Sequence, residues 1–204
     1  DRAAALYRKV IDLRGDAPQP VRKKLAHALA NAGRGFEAAR AYLDATRDAP
    51  ADESLDLRRR AAEQLLRAGH IDDGLNTLEG VLADVGLELP KTPMRALASL
   101  VFRRAQLSLR GTGFTERDAS SLPSGDLARI DVCWSVGNGL GAVDVVRGAD
   151  FQARHLLLAL RAGEPYRIAR ALSWEAILSA MEGGVRGRVR ATTLAARSAE
   201  IGAG

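Results

Sequence analysis

The chain has 204 residues and a formal net charge of +5, from 30 basic and 25 acidic side chains. Its 47 % of apolar and 27 % of charged residues are ordinary for a folded globular protein and exclude a disordered segment. The single Cys133 excludes an internal disulfide framework and favours the cytoplasm, and no apolar run approaches the about 18 residues of a membrane span, so no membrane partner is expected.

Five helices are predicted in the first 90 residues. Apolar side chains recur every three or four positions in each, as expected of a helix with one buried face. A glycine follows where four of them should end, which is a frequent helix stop signal. Gly15, Asp16, Ala17 and Pro18 form the first turn. The predicted helices span residues 1–14, 20–32, 35–47, 53–68 and 71–85.

The second half begins with a connector, because the string GLELPKTPM contains two prolines. One amphipathic helix follows, and then a polar stretch rich in Gly, Ser and Pro that predicts a long surface loop at residues 111–126. The amphipathic helix spans residues 95–110, and the other predicted helices of this half span residues 127–140, 143–162, 165–181 and 187–201. We expect three parts: helix pairs over 1–90, a connecting helix and loop over 91–126, and further degenerate helix pairs over 127–204.

A helix-pair pattern repeats at a spacing of 36 residues. It aligns Leu29 with Leu65 and Gly33 with Gly69. A period of about 34 to 40 residues is typical of helix-turn-helix solenoids, whose units bury their apolar faces by stacking. The repeat therefore predicts an all-α, right-handed α-solenoid of about ten helices. The chain opens on the second helix of a repeat and has no initiator Met, so we expect a fragment of a longer polypeptide.

Motifs of the common enzyme classes do not occur. Gly-Lys is never found, so the phosphate-binding G-x-x-x-x-G-K-[ST] loop is missing, as are H-R-D and D-F-G. The three histidines lack metal-ligand spacing. Gly137, Gly139 and Gly141 are interpreted as small residues that let helices pack closely. We expect no enzyme activity, cofactor or metal here, with one alternative left open, a site at Glu116, Arg117 and Asp118 in the polar loop.

The basic residues suggest where a partner binds. Acidic side chains are interspersed with basic ones in most predicted helices, so nucleic acid is not expected as a partner. In a solenoid the first helices of the repeats line the concave face, which here means residues 20–32 and 53–68. Four cations on them are the predicted contacts for an acidic protein or peptide: Lys23, Lys24, Arg58 and Arg59.

Two resemblances sharpen this expectation. The A-x₅-AG-x₃-EA pattern of residues 26–38, with its echo near 68–74, resembles tetratricopeptide repeats. Over residues 61–167, strings such as LPKTPMRALASLVFRRAQLSLRG and VDVVRGADFQARHLLLALRAGEPYR resemble the helical tail of large, myxobacterial-type serine/threonine kinases that carry an AAA or STAND-like ATPase. The resemblance implies a non-catalytic regulatory arm whose kinase and ATP-binding residues lie upstream, outside this sequence. The alternative is the arm of a STAND-type transcription regulator that contacts nucleic acid or its partners.

Overall fold

The computed structural model describes residues 1–15, 17–141 and 143–203; Asp16, predicted in the first turn, lies outside them. These residues contain ten α-helices, one short 3₁₀ helix and no strand. The α-helices are α1 (Arg2–Arg14), α2 (Gln19–Asn31), α3 (Gly35–Asp44), α4 (Ala51–Arg67), α5 (Ile71–Asp84), α6 (Pro93–Arg110), α7 (Ser124–Leu140), α8 (Val145–Ala162), α9 (Pro165–Glu182) and α10 (Gly184–Gly202). The predicted all-α class and helix number are confirmed.

Some predicted boundaries are wrong by about a turn. α7 begins at Ser124, inside the predicted loop, and a 3₁₀ helix forms at Ala119–Ser121. α10 begins at Gly184 rather than at 187. Glycines weaken a helix prediction because they are poor helix formers. Here Gly187 serves packing, since a Cβ on it would lie 2.6 Å from the carbonyl oxygen of Ser179 in α9.

The chain folds into two compact units, Asp1–Leu89 (unit 1) and Pro90–Gly204 (unit 2). In unit 1 each helix packs on the next in chain order, from α1 to α5. Small and aliphatic side chains fill its core, which lets helix axes approach closely. The members of one buried cluster in this core are Ala4, Leu25, Ala26, Leu29, Ala38, Ala39, Tyr42, Ala45, Leu57, Ala61 and Leu65.

The same helix ending recurs in unit 1 at the repeat spacing. The amides of Gly33 and Arg34 donate to carbonyls of the last turn of α2, and those of Gly69 and His70 donate to the last turn of α4. Both glycines have positive φ angles, 74° and 83°. This pair of backbone hydrogen bonds ends a helix at the point where the chain changes direction. The 36-residue sequence repeat thus corresponds to a repeated turn.

Unit 2 is organised around one central helix. α8 packs against α6, α7 and α9, and α10 packs on α9. α6 therefore has its main partner two helices further along the chain, unlike any helix of unit 1. The buried cluster between the helices of unit 2 is larger and more aliphatic than the cluster of unit 1. Its buried members are Leu107, Ile130, Ala153, Leu156, Leu157, Ala159, Leu160, Ala162, Ile168, Ala171, Leu172, Ala176 and Leu194.

Candidate functional site

A groove runs along α1 and α2 in unit 1, with a volume of about 780 Å³. Most of its wall comes from one face of α2, where lining residues recur every three or four positions, as one face of a helix requires. α1 supplies the second wall and α4 closes one end. The lining residues are Asp1, Ala3, Tyr7, Gln19, Pro20, Lys23, Lys24, His27, Ala28, Asn31, Ala32 and Glu53.

Two lysines on α2 give the groove its charge. Lys23 Nζ donates to Glu53 Oε1 at 2.6 Å, and this contact lowers the pKa of Glu53. Lys24 is exposed, and within the described residues it makes no ion pair or side-chain hydrogen bond. The groove thus offers one free ammonium next to a neutralised one.

His27 contributes a neutral polar ring. Burial lowers its pKa, and the nearby cations Arg60 and Lys23 lower it further. The ring meets the Tyr42 ring edge-on, with centroids 5.5 Å apart. Its Nε2 atom is buried without a hydrogen-bond partner in the described part of the chain. At neutral pH His27 therefore adds no charge, and the lysines dominate the electrostatics of the groove.

The other two predicted contacts lie elsewhere on unit 1. Arg58 pairs with Asp84 at 2.7 Å, and Arg59 pairs with Asp56. Neither arginine lines the groove. The structure thus brings Lys23 and Lys24 together and leaves Arg58 and Arg59 outside, with acidic partners of their own.

Of the groove residues, the sequence analysis predicted only Lys23 and Lys24 as contacts; among those it missed are Tyr7, His27, Asn31 and Glu53. His27 and Asn31 continue the face of Lys23 and Lys24 at helical spacing, so the period alone could have found them. Tyr7 and Glu53 reach the groove from α1 and α4. Their placement depends on how these helices pack on α2, which no local pattern reports.

Comparisons with protein-family models, with curated proteins and with solved structures find no match. Among the described residues, no helix combines the length and apolarity needed to cross a bilayer. The function proposed below therefore depends on the contacts, charges and burial of this chain alone.

The polar loop of unit 2 uses its charged cluster to hold its own shape. The amide of Arg117 donates to the carbonyl oxygen of Gly163 at 2.9 Å. Asp118 accepts hydrogen bonds from the hydroxyl and the amide of Ser120, which lower its pKa. Glu116 is exposed. The described contacts of this cluster are those of a docked loop.

Two of the buried carboxylates of unit 2, Asp150 and Glu175, join helices that are distant in sequence. Asp150 accepts from Ser99 at 2.7 Å, Arg103 at 3.1 Å and Arg154 at 2.9 Å. Glu175 likewise accepts hydrogen bonds from two arginines, one on α6 and one on α10. A buried carboxylate is tolerated when charge-assisted hydrogen bonds replace its lost water. These clusters fasten helices that are distant in sequence.

The two tryptophans pack between helices. The rings of Trp134 on α7 and Trp174 on α9 meet edge-on with centroids 5.6 Å apart. The guanidinium of Arg170 lies 4.9 Å from the Trp134 centroid and 5.5 Å from that of Tyr166. Arg170 also donates to Asp131. The aromatic faces are thus occupied by a side chain of the same unit.

The glycine run of α7 has the packing role that the sequence suggested. A Cβ on Gly137 would lie 2.6 Å from Nε2 of Gln152 on α8, and one on Gly148 would lie 3.1 Å from the backbone of Gly141. The neighbouring Cys133 is fully buried, which raises the pKa of its thiol to about 12. Among the described residues, no three His, Cys, Asp or Glu side chains are grouped to hold a metal ion.

Proposed function

We propose that this chain is a protein-interaction module that binds an acidic peptide segment in the groove of unit 1. The observation that carries the proposal is the free ammonium of Lys24 beside the Lys23–Glu53 pair, in a groove of about 780 Å³. Ligand sites in proteins commonly have volumes of about 300 to 1,000 Å³ and combine apolar walls with a few placed polar groups.

The walls suit a peptide. Ala3, Ala28, Ala32 and Pro20 give apolar surface without bulk. The exposed amide of Asn31 can bond a main-chain group of a bound segment. A peptide side chain can rest on the apolar part while its backbone meets this amide. The groove therefore accommodates an extended segment or one turn of helix.

The charges favour an acidic ligand. A ligand carboxylate at Lys24 forms a charge-assisted hydrogen bond. It displaces water from the ammonium group and breaks no contact within the protein. A second carboxylate can exchange with Glu53 at Lys23, because that pair is partly exposed and such pairs contribute only about 0 to 1 kcal/mol. Both lysines are then available to one ligand with two acidic groups.

The wider context is also a proposal. The 36-residue repeat and the shared helix ending of α2 and α4 support a tetratricopeptide-like right-handed α-solenoid. The resemblance of residues 61–167 supports a cytoplasmic regulatory arm of a large bacterial serine/threonine kinase with an AAA or STAND-like ATPase. In such a chain the bound ligand shifts the activity only through different affinities for two states of the protein.

Charge reversal at one lysine tests the peptide site. We would measure fluorescence anisotropy of a labelled eight-residue peptide pool with two fixed glutamates, titrated with the full chain. Lys24→Glu should weaken binding at least about tenfold, because a charge-assisted contact becomes a repulsion. Lys91→Glu, an exposed lysine of unit 2, makes the same change in net charge and should leave binding unchanged. Equal losses in both variants would show that only net charge matters and would refute the site.

A further inference from the structure

A small cavity in unit 2 lies where the polar loop, residues 111–123, meets α7 and α8. Its volume is about 210 Å³. α7 lines it with Asp126, Arg129 and Ile130, and α8 lines it with Leu158 and Arg161. Residues three or four positions apart lie on one face of a helix, so one face of each helix forms a wall. The loop forms the third wall.

Three arginines line this cavity, one from each wall. They are Arg117 in the loop, Arg129 on α7 and Arg161 on α8. The amide of Arg117 donates to the carbonyl oxygen of Gly163 at 2.9 Å, which holds this arginine beside the end of α8. Like charges that share a small space repel one another, so the three guanidinium groups favour an anion between them.

These arginines are not used to hold the fold together. Within the described residues, none of the three forms an ion pair or donates a side-chain hydrogen bond. Elsewhere in unit 2, Asp131, Asp150 and Glu175 each pair with two arginines. Unit 2 thus satisfies other arginines with its own carboxylates and leaves the cavity arginines available to a ligand.

Arg129 gives the most specific indication of a ligand. Its Nε atom is buried and has no hydrogen-bond partner in the described part of the chain. The buried Nε atoms of Arg22, Arg58 and Arg170 also lack a partner, but each of these side chains pairs with an aspartate through Nη2. A buried donor without an acceptor is destabilising, and a bound ion is one of the usual acceptors. An anion in the cavity supplies that acceptor.

The charge and size of the cavity define the class of anion. One carboxylate, that of Asp126, opposes the three guanidinium groups, so the lining has a net charge of +2. A phosphate monoester carries about −1.5 to −2 at neutral pH and has three strong acceptor oxygens. Three arginines on three walls match these oxygens better than the two of a carboxylate. The volume is below the about 300 to 1,000 Å³ of sites for drug-sized ligands, so one phosphoryl group with a short attached chain fits.

We propose that this cavity is a second binding site of the chain, which takes the phosphoryl group of a phosphate monoester. Half-buried Arg129 binds one oxygen from within, and the exposed Arg117 and Arg161 bind the others from the rim. α7 begins at this rim without a side-chain cap, and the positive end of its helix dipole adds to the attraction. Ile130 and Leu158 contact the carbon atoms of the ester. The site uses no residue of the groove in unit 1.

Titration calorimetry of the full chain with inorganic phosphate at neutral pH is the first test. One site with a Kd of about 1 mM or tighter is expected. Arg129→Gln and Arg161→Gln should each weaken binding at least about tenfold, because a charge-assisted hydrogen bond is lost. Arg186→Gln makes the same charge change at an exposed position of α10 and should leave binding unchanged. No binding, or equal losses in the cavity and control variants, would overturn the proposal.

Asp126→Asn should have the opposite effect. It removes the one carboxylate of the lining and should tighten phosphate binding about threefold or more. Damage to the fold cannot produce such a gain. Glu116→Gln, an exposed carboxylate of the loop outside the cavity, is the matched control and should leave binding unchanged. No gain in Asp126→Asn, or the same gain in both variants, would refute the site.

Two sources can supply the same phosphoryl group, a small phosphorylated molecule or a phosphorylated serine side chain. Tighter binding of glycerol phosphate than of a short phosphoserine peptide would identify the first source, and the reverse order the second. Acetate should bind at least about tenfold more weakly than phosphate, and equal binding of the two would refute a phosphoryl site. Lys24→Glu should leave phosphate binding unchanged, so this site and the peptide groove can fail separately.

Discussion

The described ion pairs of unit 1 keep their carboxylates partly exposed, whereas unit 2 buries carboxylates in its interior. In unit 1 the pair of Arg58 with Asp84 leaves both side chains at least one-third exposed. In unit 2 Asp150 is fully buried and joins α8 to α6, 47 residues away from Arg103. Helices that stack in chain order need only matching apolar faces, while the contact of α6 with α8 is also specified by charge.

The largest expected effect comes from removing a buried carboxylate. Asp150→Ala leaves Arg103 and Arg154 near the core without their shared partner, and should destabilise unit 2 by about 3 to 5 kcal/mol. Asp84→Ala breaks an exposed pair of unit 1 and should cost less than about 1 kcal/mol. Urea unfolding followed by tryptophan fluorescence reports unit 2 alone, because both tryptophans lie there. Circular dichroism follows both units.

Equal losses of unfolding free energy in Asp150→Ala and Asp84→Ala would contradict this difference between the two units. A loss below about 1 kcal/mol for Asp150→Ala would mean that the arginines are solvated well enough without it. Asp150→Asn is the milder control, since it keeps the volume and one of the two acceptor oxygens. It should fall between the wild type and the alanine variant.

Two glycines with nearly equal backbone angles sharpen the comparison further. Gly69 in unit 1 and Gly163 in unit 2 have φ of 83° and 84°. A Cβ on Gly69 meets open space, whereas one on Gly163 collides with the carbonyl oxygen of Thr115. Gly69→Ala should cost about 1 to 2 kcal/mol for the left-handed backbone alone. Gly163→Ala should cost about 3 kcal/mol, because the docked loop must also move.

Thermal or urea unfolding of both alanine variants measures this difference. Equal losses would show that the loop adjusts freely and that its contact with Gly163 adds little to stability. A larger loss at Gly163, together with faster proteolysis of residues 111–123, would show that the loop is held by this contact.

Much of the fold followed from local sequence, and most of the site did not. The three-to-four spacing of apolar residues and the glycines after the helices located all ten α-helices, because both signals are local. Lys23 and Lys24 are adjacent on one helix, so the sequence could predict that both lie at the same site. Glu53 could not be predicted in this way, since its bond to Lys23 spans 30 residues. Nothing in the local sequence distinguishes Asp150 from a surface aspartate, because its partners Ser99 and Arg103 come from α6, about 50 residues earlier in the chain.

A pH-dependent effect is expected from a buried histidine of unit 2. His155 is fully buried on α8, and neither ring nitrogen has a hydrogen-bond partner in the described residues. Burial, aided by Arg170, lowers its pKa from 6.5 to about 3. Below pH 6.5 His155 binds a proton in the unfolded chain but stays neutral in the folded chain. The free energy of unfolding therefore decreases as pH falls from 6.5 towards 3.

His155→Leu should remove that dependence. Between pH 7 and pH 5 the free energy of unfolding should fall by about 2 kcal/mol less in the variant than in the wild type. At pH 7 the leucine should be neutral or slightly stabilising, because it removes two unpaired polar atoms. Urea unfolding at the two pH values measures both quantities. Identical pH dependence in the two proteins would mean that folded His155 reaches water.

The claim that unit 1 is the ligand-binding part is tested most directly by hydrogen exchange of the full chain, with and without the two-glutamate peptide pool. The groove predicts slower exchange in α1 and α2, above all at residues 19–31, and unchanged exchange in α8 and α9. The Lys24→Glu chain should show no change. Peptide-dependent protection confined to unit 2, or protection that persists in the Lys24→Glu chain, would contradict the account.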